Sequence, residues 1–569
     1  MQATLSRDSN HLDRLLRLML AAAVVAVFWP VCRAGFVSWD DPVNIVNNPH
    51  LGLGWEDLKW MFTDSSYVRR YLPLGWLSYT LDRVFFGGSP ASYHVGNLLL
   101  HAVNTLLVYA ILKSVIRRVV TDAKIAEIQS AGWGVAAAAG ALWWAVNPLR
   151  AEPVAWASSR IYCVSALFFF LALWAYLRQE SPSLVPRWRC TVGVAILCFG
   201  LSLFTYPVAL GGLVVFLVLD FYPLRRLPPR PGQWWLPEYR RVWAEKFLFL
   251  IPVVIMCGVN LAARVNHPDL EPVVTLAQFS VASRVMQALW IWAWYLWKPW
   301  QPFDLAPKYP DLLTDLPFTP AHLLAAVLVV TVSSVLFLRR RVWPGLAVLW
   351  LCHLALLLPL LGFTEHPHHT FDRYGYIVGT VWAALVAGTV LVLLQREKLR
   401  LPVMTAMALL CCFFGWLARE QSLVWNNSLS VQVRMAESLG NHPQRVSHDV
   451  VIATLLLEAR QFEDAVLALR PAIALRPDMP EAWGAFGDAL AGQQRLEPAV
   501  ASYQRALALN PHLYSARQNL GVTLAMAGRQ EEAVAQFTEL LRQRPADASA
   551  RYNLELSLKR LGREGDPKR

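Results

Sequence analysis

Charge is scarce in this chain. Only 16% of its 569 residues are Asp, Glu, Lys or Arg, where a soluble globular protein carries about 25%. With 56% of residues drawn from AVILMFWYC, there is more apolar surface than a water-soluble core of this size can hide. That excludes a soluble enzyme, a disordered chain and a nucleic-acid-binding protein as leading readings. Cysteine is also sparse: there are eight, without CxxC…CxxC spacing and with none after Cys412, which argues against a disulfide framework or a structural zinc site. No Walker A loop, Rossmann fingerprint, GxSxG elbow or HExxH is present, so nucleotide hydrolysis and protease chemistry lose support. What remains is the composition of a polytopic membrane protein.

The apolar residues fall into runs upstream of residue 420, and the polar ones dominate after it. Eleven runs are long enough to suggest spans: 16–35, 95–116, 131–147, 161–178, 188–204, 207–224, 244–264, 320–338, 342–361, 375–395 and 401–418. The first lacks a small-residue cleavage site at Trp29-Pro30-Val31-Cys32-Arg33 and reads as a span, not a signal peptide. The net charge of +12 is a topology signal. With the N-terminus inside, basic groups such as Lys113, Arg117 and Arg118, or Arg339, Arg340 and Arg341, land in inner loops. The segment 279–300 then reads as an interfacial or re-entrant helix, with Trp292, Trp294, Trp297 and Trp300 as an aromatic belt. The expected division is a membrane domain over 1–420, containing an outer loop at 36–93 and an interfacial segment at 266–319. A linker over 421–445 and a repeat domain over 446–569 follow.

That last region repeats every 34 residues. Pro477, Pro511 and Pro545 mark the period, which is that of the tetratricopeptide repeat, or TPR. Trp483, Phe486, Gly487, Leu490, Ala499, Tyr503 and Ala506 occupy the signature positions of the middle copy, and Leu520, Gly521, Leu524, Ala533 and Phe537 those of the next. The first copy keeps Ala453, Ala465 and Ala472. Three repeats with a capping helix near 549–561 form a stable stack and present a concave surface to a protein partner. The fold class is therefore all-α: a helical membrane bundle followed by an α-solenoid.

Three outer segments carry polar residues of possible chemistry. Asp40 and Asp41 lie just beyond the first span. Paired carboxylates at a low-dielectric boundary are costly without a role, although Asp-Asp-Pro is also good turn chemistry. One could serve as a general base on a hydroxyl. In the second segment Arg150, Glu152 and Arg160 flank Trp156. Two arginines suit a phosphate and an indole suits a sugar ring, while interfacial anchoring is the plainer alternative. The third segment groups Glu365, His366, His368, His369, Asp372 and Arg373. No ligand pair there has zincin spacing and Pro367 interrupts the run, so loop polarity or phosphate binding ranks above metal and no metal site is assigned.

FVSWDDPVNIVNNPHL and YLPLGWLSYTLDRVFFGGSPASYHVGNLLLHAVNTLLVY after the first span resemble the start of the transmembrane-and-TPR-containing O-mannosyltransferases and their bacterial relatives. NPLRAEPVAWASSRIYCVSALFFFLALWAY resembles their second block, DRYGYI their Arg-Tyr block, and VWNNSL the junction into their TPRs. The likeness extends over nearly the whole chain. That family belongs to the GT-C glycosyltransferases, which take a sugar from a polyprenyl-phosphate donor on the non-cytoplasmic side. The resemblance implies that Asp40 is the base and that Arg160 and Arg373 hold the phosphate. Asp41 and Glu152 would be in supporting or acceptor-orienting roles, with the TPRs presenting an acceptor protein. The only other molecule implied is the lipid-linked donor, and a divalent metal requirement stays open. The chain departs from the family where Ser159-Arg160-Ile161-Tyr162 stands for Gly-Arg-x-Asp, and where Thr205-Tyr206-Pro207 stands for a Lys-Glu pair. Either departure bears on donor choice.

Two functions stand against each other. The first is a membrane glycosyltransferase acting on a hydroxyl, such as protein Ser or Thr. The alternative is a catalytically inactive membrane-anchored TPR scaffold for envelope or polysaccharide assembly. A transporter ranks third, since few ionisable residues fall mid-span. With no eukaryotic retention signal, the expected location is a bacterial inner membrane, with the N-terminus cytoplasmic and the TPRs periplasmic or otherwise extracytoplasmic.

Overall fold

In a computed structural model of the chain, residues 2–122, 130–178, 185–265, 280–309, 319–362 and 370–562 are described. Among them the chain is helical throughout, with no strand. It divides into two compact units, Met1–Asn427 and Ser428–Arg569.

The first unit holds fifteen α-helices in its described residues. They begin with α1 (Gln2–Phe28), α2 (Trp55–Thr63), α3 (Pro73–Phe86), α4 (Pro90–Asp122) and α5 (Ser130–Ala145). Next come α6 (Ala151–Ala155), α7 (Arg160–Leu177), α8 (Val185–Thr205), α9 (Gly212–Phe221) and α10 (Arg240–Val265). The last are α11 (Val281–Trp297), α12 (Pro320–Leu338), α13 (Pro344–Leu357), α14 (Gly375–Leu394) and α15 (Glu397–Leu423). Each of the eleven apolar runs coincides with one of these helices. Among the described residues, however, seven helical segments are long and apolar enough to cross a membrane: Asn10–Arg33, Pro90–Val120, Ala157–Leu177, Pro237–Ala263, Pro320–Leu338, Asp372–Leu394 and Glu397–Leu423. The segments Thr191–Thr205, Pro207–Phe221 and Pro344–Leu360 are shorter, as is α5. At 1.5 Å per residue, the 16 residues of α5 and the 14 of α13 reach about 24 and about 21 Å, short of a 30 Å hydrocarbon layer, whereas the whole of α8, at 21 residues, reaches about 31 Å.

Lipid tails give helices no hydrophobic reason to associate, so small residues that permit close approach decide the packing. Helix α5 illustrates this with Gly134, a run of alanines over 136–139, and Gly140. A methyl group at Gly140 would sit 2.4 Å from the Ala383 carbonyl oxygen and 2.9 Å from Ala387 Cβ on α14. Buried polar ties then fix the register. His101 on α4 bonds the Tyr376 hydroxyl of α14 at 2.8 Å and the Ala145 carbonyl of α5 at 3.0 Å.

Helix α11 is more than a surface belt. Gln287 donates to the Leu361 carbonyl at 2.8 Å, the Trp292 indole to Leu354 at 3.2 Å, and Trp382 of α14 to the Tyr295 carbonyl at 3.1 Å. Trp294 is buried, while Trp297 and Trp300 remain exposed. The belt reading therefore fails for Trp292 and Trp294. Their hydrogen bonding and burial make them part of a wall against α12, α13 and α14.

In the second unit the pairs α17–α18 (Arg445–Glu458, Phe462–Leu475), α19–α20 (Pro480–Gly492, Leu496–Leu509) and α21–α22 (Tyr514–Met526, Gln530–Gln543) form three repeats, followed by α23 (Ala548–Arg560). The 34-residue period is visible in the contacts. A Cβ at Gly487 would lie 2.6 Å from the Tyr503 ring, and one at Gly521 would lie 2.7 Å from the Phe537 ring. The stretch 421–445, expected as a linker, holds the end of α15 and helix α16 (Ser428–Leu439). The apolar side of α16 places Ala436 in the same core as Ala453 and Ala465, so amphipathic packing makes α16 part of the repeat unit.

Candidate active site

The loop after α1 meets the loop between α5 and α7 at one end of the bundle. Asp41 is fully buried. Its Oδ2 accepts from the Val37 backbone N–H at 2.9 Å, and its Oδ1 accepts from the Ser158 N–H at 3.0 Å and the Ser158 hydroxyl at 2.5 Å. Burial pushes its carboxyl up to about 6, against the pull of those donors. Asp41 is therefore a clamp between two loops, with no oxygen facing outward. Its neighbour Asp40 keeps 31% of its side chain open and lies 3.5 Å from Arg70 Nη1. Adjacent positions on an extended-to-helical turn send successive side chains in different directions, which separates a clamped carboxylate from a free one.

The other predicted residues divide in the same way. Glu152 is buried and accepts from the Arg373 backbone N–H at 2.7 Å and from the Arg373 guanidinium. Arg373 is enclosed by rings: Phe371 at 3.7 Å, Trp156 and Tyr374 at 5.3 Å, Trp39 at 5.8 Å and Tyr162 at 6.0 Å from its guanidinium carbon. Trp156 is only 3% exposed, stacked on Trp39 at 5.1 Å and on Trp425 at 5.2 Å. It has no open ring surface for a sugar, so the substrate-stacking expectation for Trp156 is corrected to a packing role. Asp372 is buried and accepts from the Tyr309 hydroxyl at 2.7 Å. Tyr295 of α11 holds the same turn, donating to the Phe371 carbonyl at 2.6 Å.

Arg160 does not face this cluster with free donors. Its guanidinium donates to Asn97 Oδ1 at 2.9 Å and to the carbonyls of Ser78 at 3.1 Å and Tyr93 at 2.7 Å, and it pairs with Asp82 at 2.5 Å. A Cβ at residue 96 would lie 2.2 Å from its Nη2, so Gly96 makes the room. With these acceptors already taken up, Arg160 is a tie between α3, α4 and α7, and its expected phosphate contact is corrected. Arg150 is likewise buried, donating to the Gly375 carbonyl at 2.7 Å, and burial holds its pKa down to about 10. Glu365, His366, His368 and His369 lie outside the described residues.

One residue was missed by the reading of the sequence. Arg70 keeps 41% of its side chain open. Desolvation of its guanidinium works against its charge, but Tyr206, Asp40 and Tyr162 more than offset that and raise its pKa. Two positions before it stands Val68, whose φ of 46° is unusual for a β-branched residue. Nothing at Arg69-Arg70 stands out as a motif, and only the side-chain partners distinguish Arg70 from other loop arginines. The two departures from the family pattern also converge. Tyr162 and Tyr206 pack edge to face at 4.9 Å, and Arg373 Nε lies 3.3 Å from the Tyr162 hydroxyl. An aromatic pair thus occupies a place where the resemblance implied charged residues, making the two departures one local change.

A tetratricopeptide repeat family model matches residues 450–514 and 485–548. The chain is 27% identical over 195 residues to protein O-mannosyl-transferase TMTC3 of Homo sapiens, covering 32% of this chain and 19% of that protein. It is 29% identical over 169 residues to protein O-mannosyl-transferase TMTC2 of Mus musculus, covering 29% and 18%. It is 30% identical over 200 residues to protein O-mannosyl-transferase Tmtc2 of Drosophila melanogaster, covering 33% and 19%. The match thus spans about a fifth of the length of these relatives.

Proposed function

We propose that this relative of TPR-bearing protein O-mannosyl-transferases is itself a membrane glycosyltransferase. It moves a sugar from a polyprenyl-phosphate donor to a protein Ser or Thr hydroxyl on the non-cytoplasmic side, with the TPRs recruiting the acceptor. The observation that carries this reading is the division of labour in the acidic pair: Asp41 is consumed by Val37 and Ser158, while Asp40 stays open beside Arg70. The similarity to enzymes of that name supports the reaction class.

In this mechanism Asp40 takes the proton of the acceptor hydroxyl as its oxygen attacks the anomeric carbon. The carbon–oxygen bond to phosphate breaks with its electron pair passing to the phosphate oxygen, and the configuration inverts. Asp41 holds the loop that aims Asp40. The Glu152–Arg373 pair fixes the facing turn, and the buried tryptophans exclude water. Positioning accounts for much of the rate, because a displaced base loses its proton-transfer geometry.

The test is Asp40→Asn in the full-length chain, supplied with membranes containing lipid-linked sugars. Transfer to protein should fall by about 10²–10⁴-fold, the usual contribution of a general base, with the melting temperature unchanged. If the variant still glycosylates at the parental rate while truncation after residue 427 abolishes the cellular phenotype, the scaffold reading replaces this one.

A further inference from the structure

Asp40 ends a stretch, residues 34–40, that is neither helix nor strand. Such backbone has no ladder of its own hydrogen bonds, so its position depends on what other segments supply. Asp41 clamps the far end to Ser158. The near end and the middle are held from elsewhere.

The near end is tied to the segment that follows α15. The Gly35 N–H donates to the Asn426 carbonyl at 2.9 Å. In the middle, the Trp39 ring lies 5.1 Å from Trp156 and 6.1 Å from Trp425, with planes only 17° and 3° apart. Trp156 and Trp425 are themselves 5.2 Å apart. Three near-parallel indoles at these spacings form offset stacks, an arrangement that aromatic rings prefer. Trp425 is 1% exposed, and its indole N–H has no hydrogen-bond partner among the described residues. A buried indole that leaves its one donor unused contributes through its ring faces. Asn427 ends the first unit and Ser428 opens the second, so these ties come from the last residues ahead of the repeats.

We propose that Trp425 is a positioning residue for Asp40: its ring, together with the Asn426 carbonyl, sets where the base points. This rests on the glycosyltransferase reading above and gives a role to a residue with almost no exposed surface. Trp39 directly precedes Asp40, and successive Cα atoms are about 3.8 Å apart, so a shift of the Trp39 ring passes to the carboxylate. A misplacement of about 1 Å is enough to cost about a hundredfold in rate. The base and the exit towards the repeats are thereby one packed piece.

The full-length protein in nanodiscs is assayed with increasing amounts of membranes containing lipid-linked sugars, and its amide exchange is followed in parallel. Trp425→Leu keeps the position apolar but removes two ring stacks, worth about ten- to a hundredfold in how often the segment opens. Exchange at Gly35 and Val37 should rise by about that factor, and the saturating transfer rate should fall by about 10–100-fold. The half-saturating amount of donor membrane should stay within about twofold, because the residue binds no substrate. Trp425→Phe loses no hydrogen bond and should recover most of the rate. In an Asp40→Asn background the loss from Trp425→Leu should shrink to about twofold or less, since no base is left to aim. A folded Trp425→Leu with parental exchange and rate overturns the proposal. So does a Phe variant no better than the Leu variant, or a loss that persists in full without Asp40. A parent that transfers no sugar overturns the reaction proposed above, and this role with it. Should Trp425→Leu not fold, Gly35→Pro takes its place. Ala34 has the extended φ of −69° and ψ of 150° that a residue before proline needs, and the substitution deletes the donor to Asn426. Parental rate and parental Val37 exchange in Gly35→Pro then overturn the proposal, and the losses expected of Trp425→Leu support it.

Discussion

Glu152→Gln tests whether the buried Arg373 pair organises the site. Glu152 gives one oxygen to the Arg373 backbone N–H at 2.7 Å and the other to its guanidinium, with both residues buried. Removing one member of a buried ion pair costs about 3–5 kcal/mol, because the remaining charge is left without its counter-ion. Two features reduce that figure here. Glutamine keeps a neutral acceptor, and the rings of Phe371, Trp156 and Tyr374 still face the cation, a contact of about 0.5–2 kcal/mol. A net loss of about 2–4 kcal/mol follows, which in a unit of this size lowers the melting temperature by roughly 2–8 °C. Melting of the full chain in nanodiscs reads the global cost, and amide exchange at Arg373 reads the local one. The double variant Glu152→Leu with Arg373→Met should recover much of the stability, since an apolar pair replaces a buried ionic one at little cost, but it should not recover glycan transfer. Unchanged melting and unchanged exchange in Glu152→Gln would refute the reasoning, as would a double variant less stable than the single.

Two further predictions concern the loop clamp and the bundle. Asp41 titrates near 6 in the fold against an ordinary value of 3.8. Its contribution to stability is therefore fully present below about pH 4 and lost as pH rises through 6, about 3 kcal/mol in all. Subtracting the melting profile of Asp41→Asn from that of the parent should expose this slope between pH 4 and 7, and a flat difference would sink the assignment. Gly140→Ala puts a methyl 2.4 Å from the Ala383 carbonyl, so α5 and α14 must move apart at about 1–3 kcal/mol. Gly388→Ala meets no atom within 4 Å and should be near neutral, so equal melting temperatures for the two variants would contradict the packing described.

Apolar length and period were legible because they are local properties. A helix of lipid-facing residues needs only its own sequence, so the runs at 16–35 and 375–395 fell where α1 and α14 lie. The lengths were overcalled where prolines cut the run: α9 starts at Gly212 after the turn at Pro207, and α13 gives way to a turn containing Pro359. The TPRs were legible for a related reason. Each repeat packs only on its neighbours, so Gly487 against Tyr503 and Gly521 against Phe537 leave the same mark 34 residues apart. Helix α16 left no such mark, since its amphipathic face became informative only once it had a core to join.

The site was legible as a set of segments but not as a set of roles. Sequence alone determined that Asp40-Asp41, the Arg150–Arg160 stretch and Asp372-Arg373 are polar groups at the ends of apolar runs, where charge is expensive. Only tertiary structure decided which of them already have partners. Arg160 meets Asn97 from 63 positions away, Arg373 meets Glu152 from 221, and Asp41 meets Ser158 from 117. Partnership over such separations depends on how helices pack, and no local pattern encodes it. The same packing that consumed Arg160 and Asp41 left Asp40 and Arg70 open beside each other, and in a site of low dielectric the open charges are the ones able to act on a substrate.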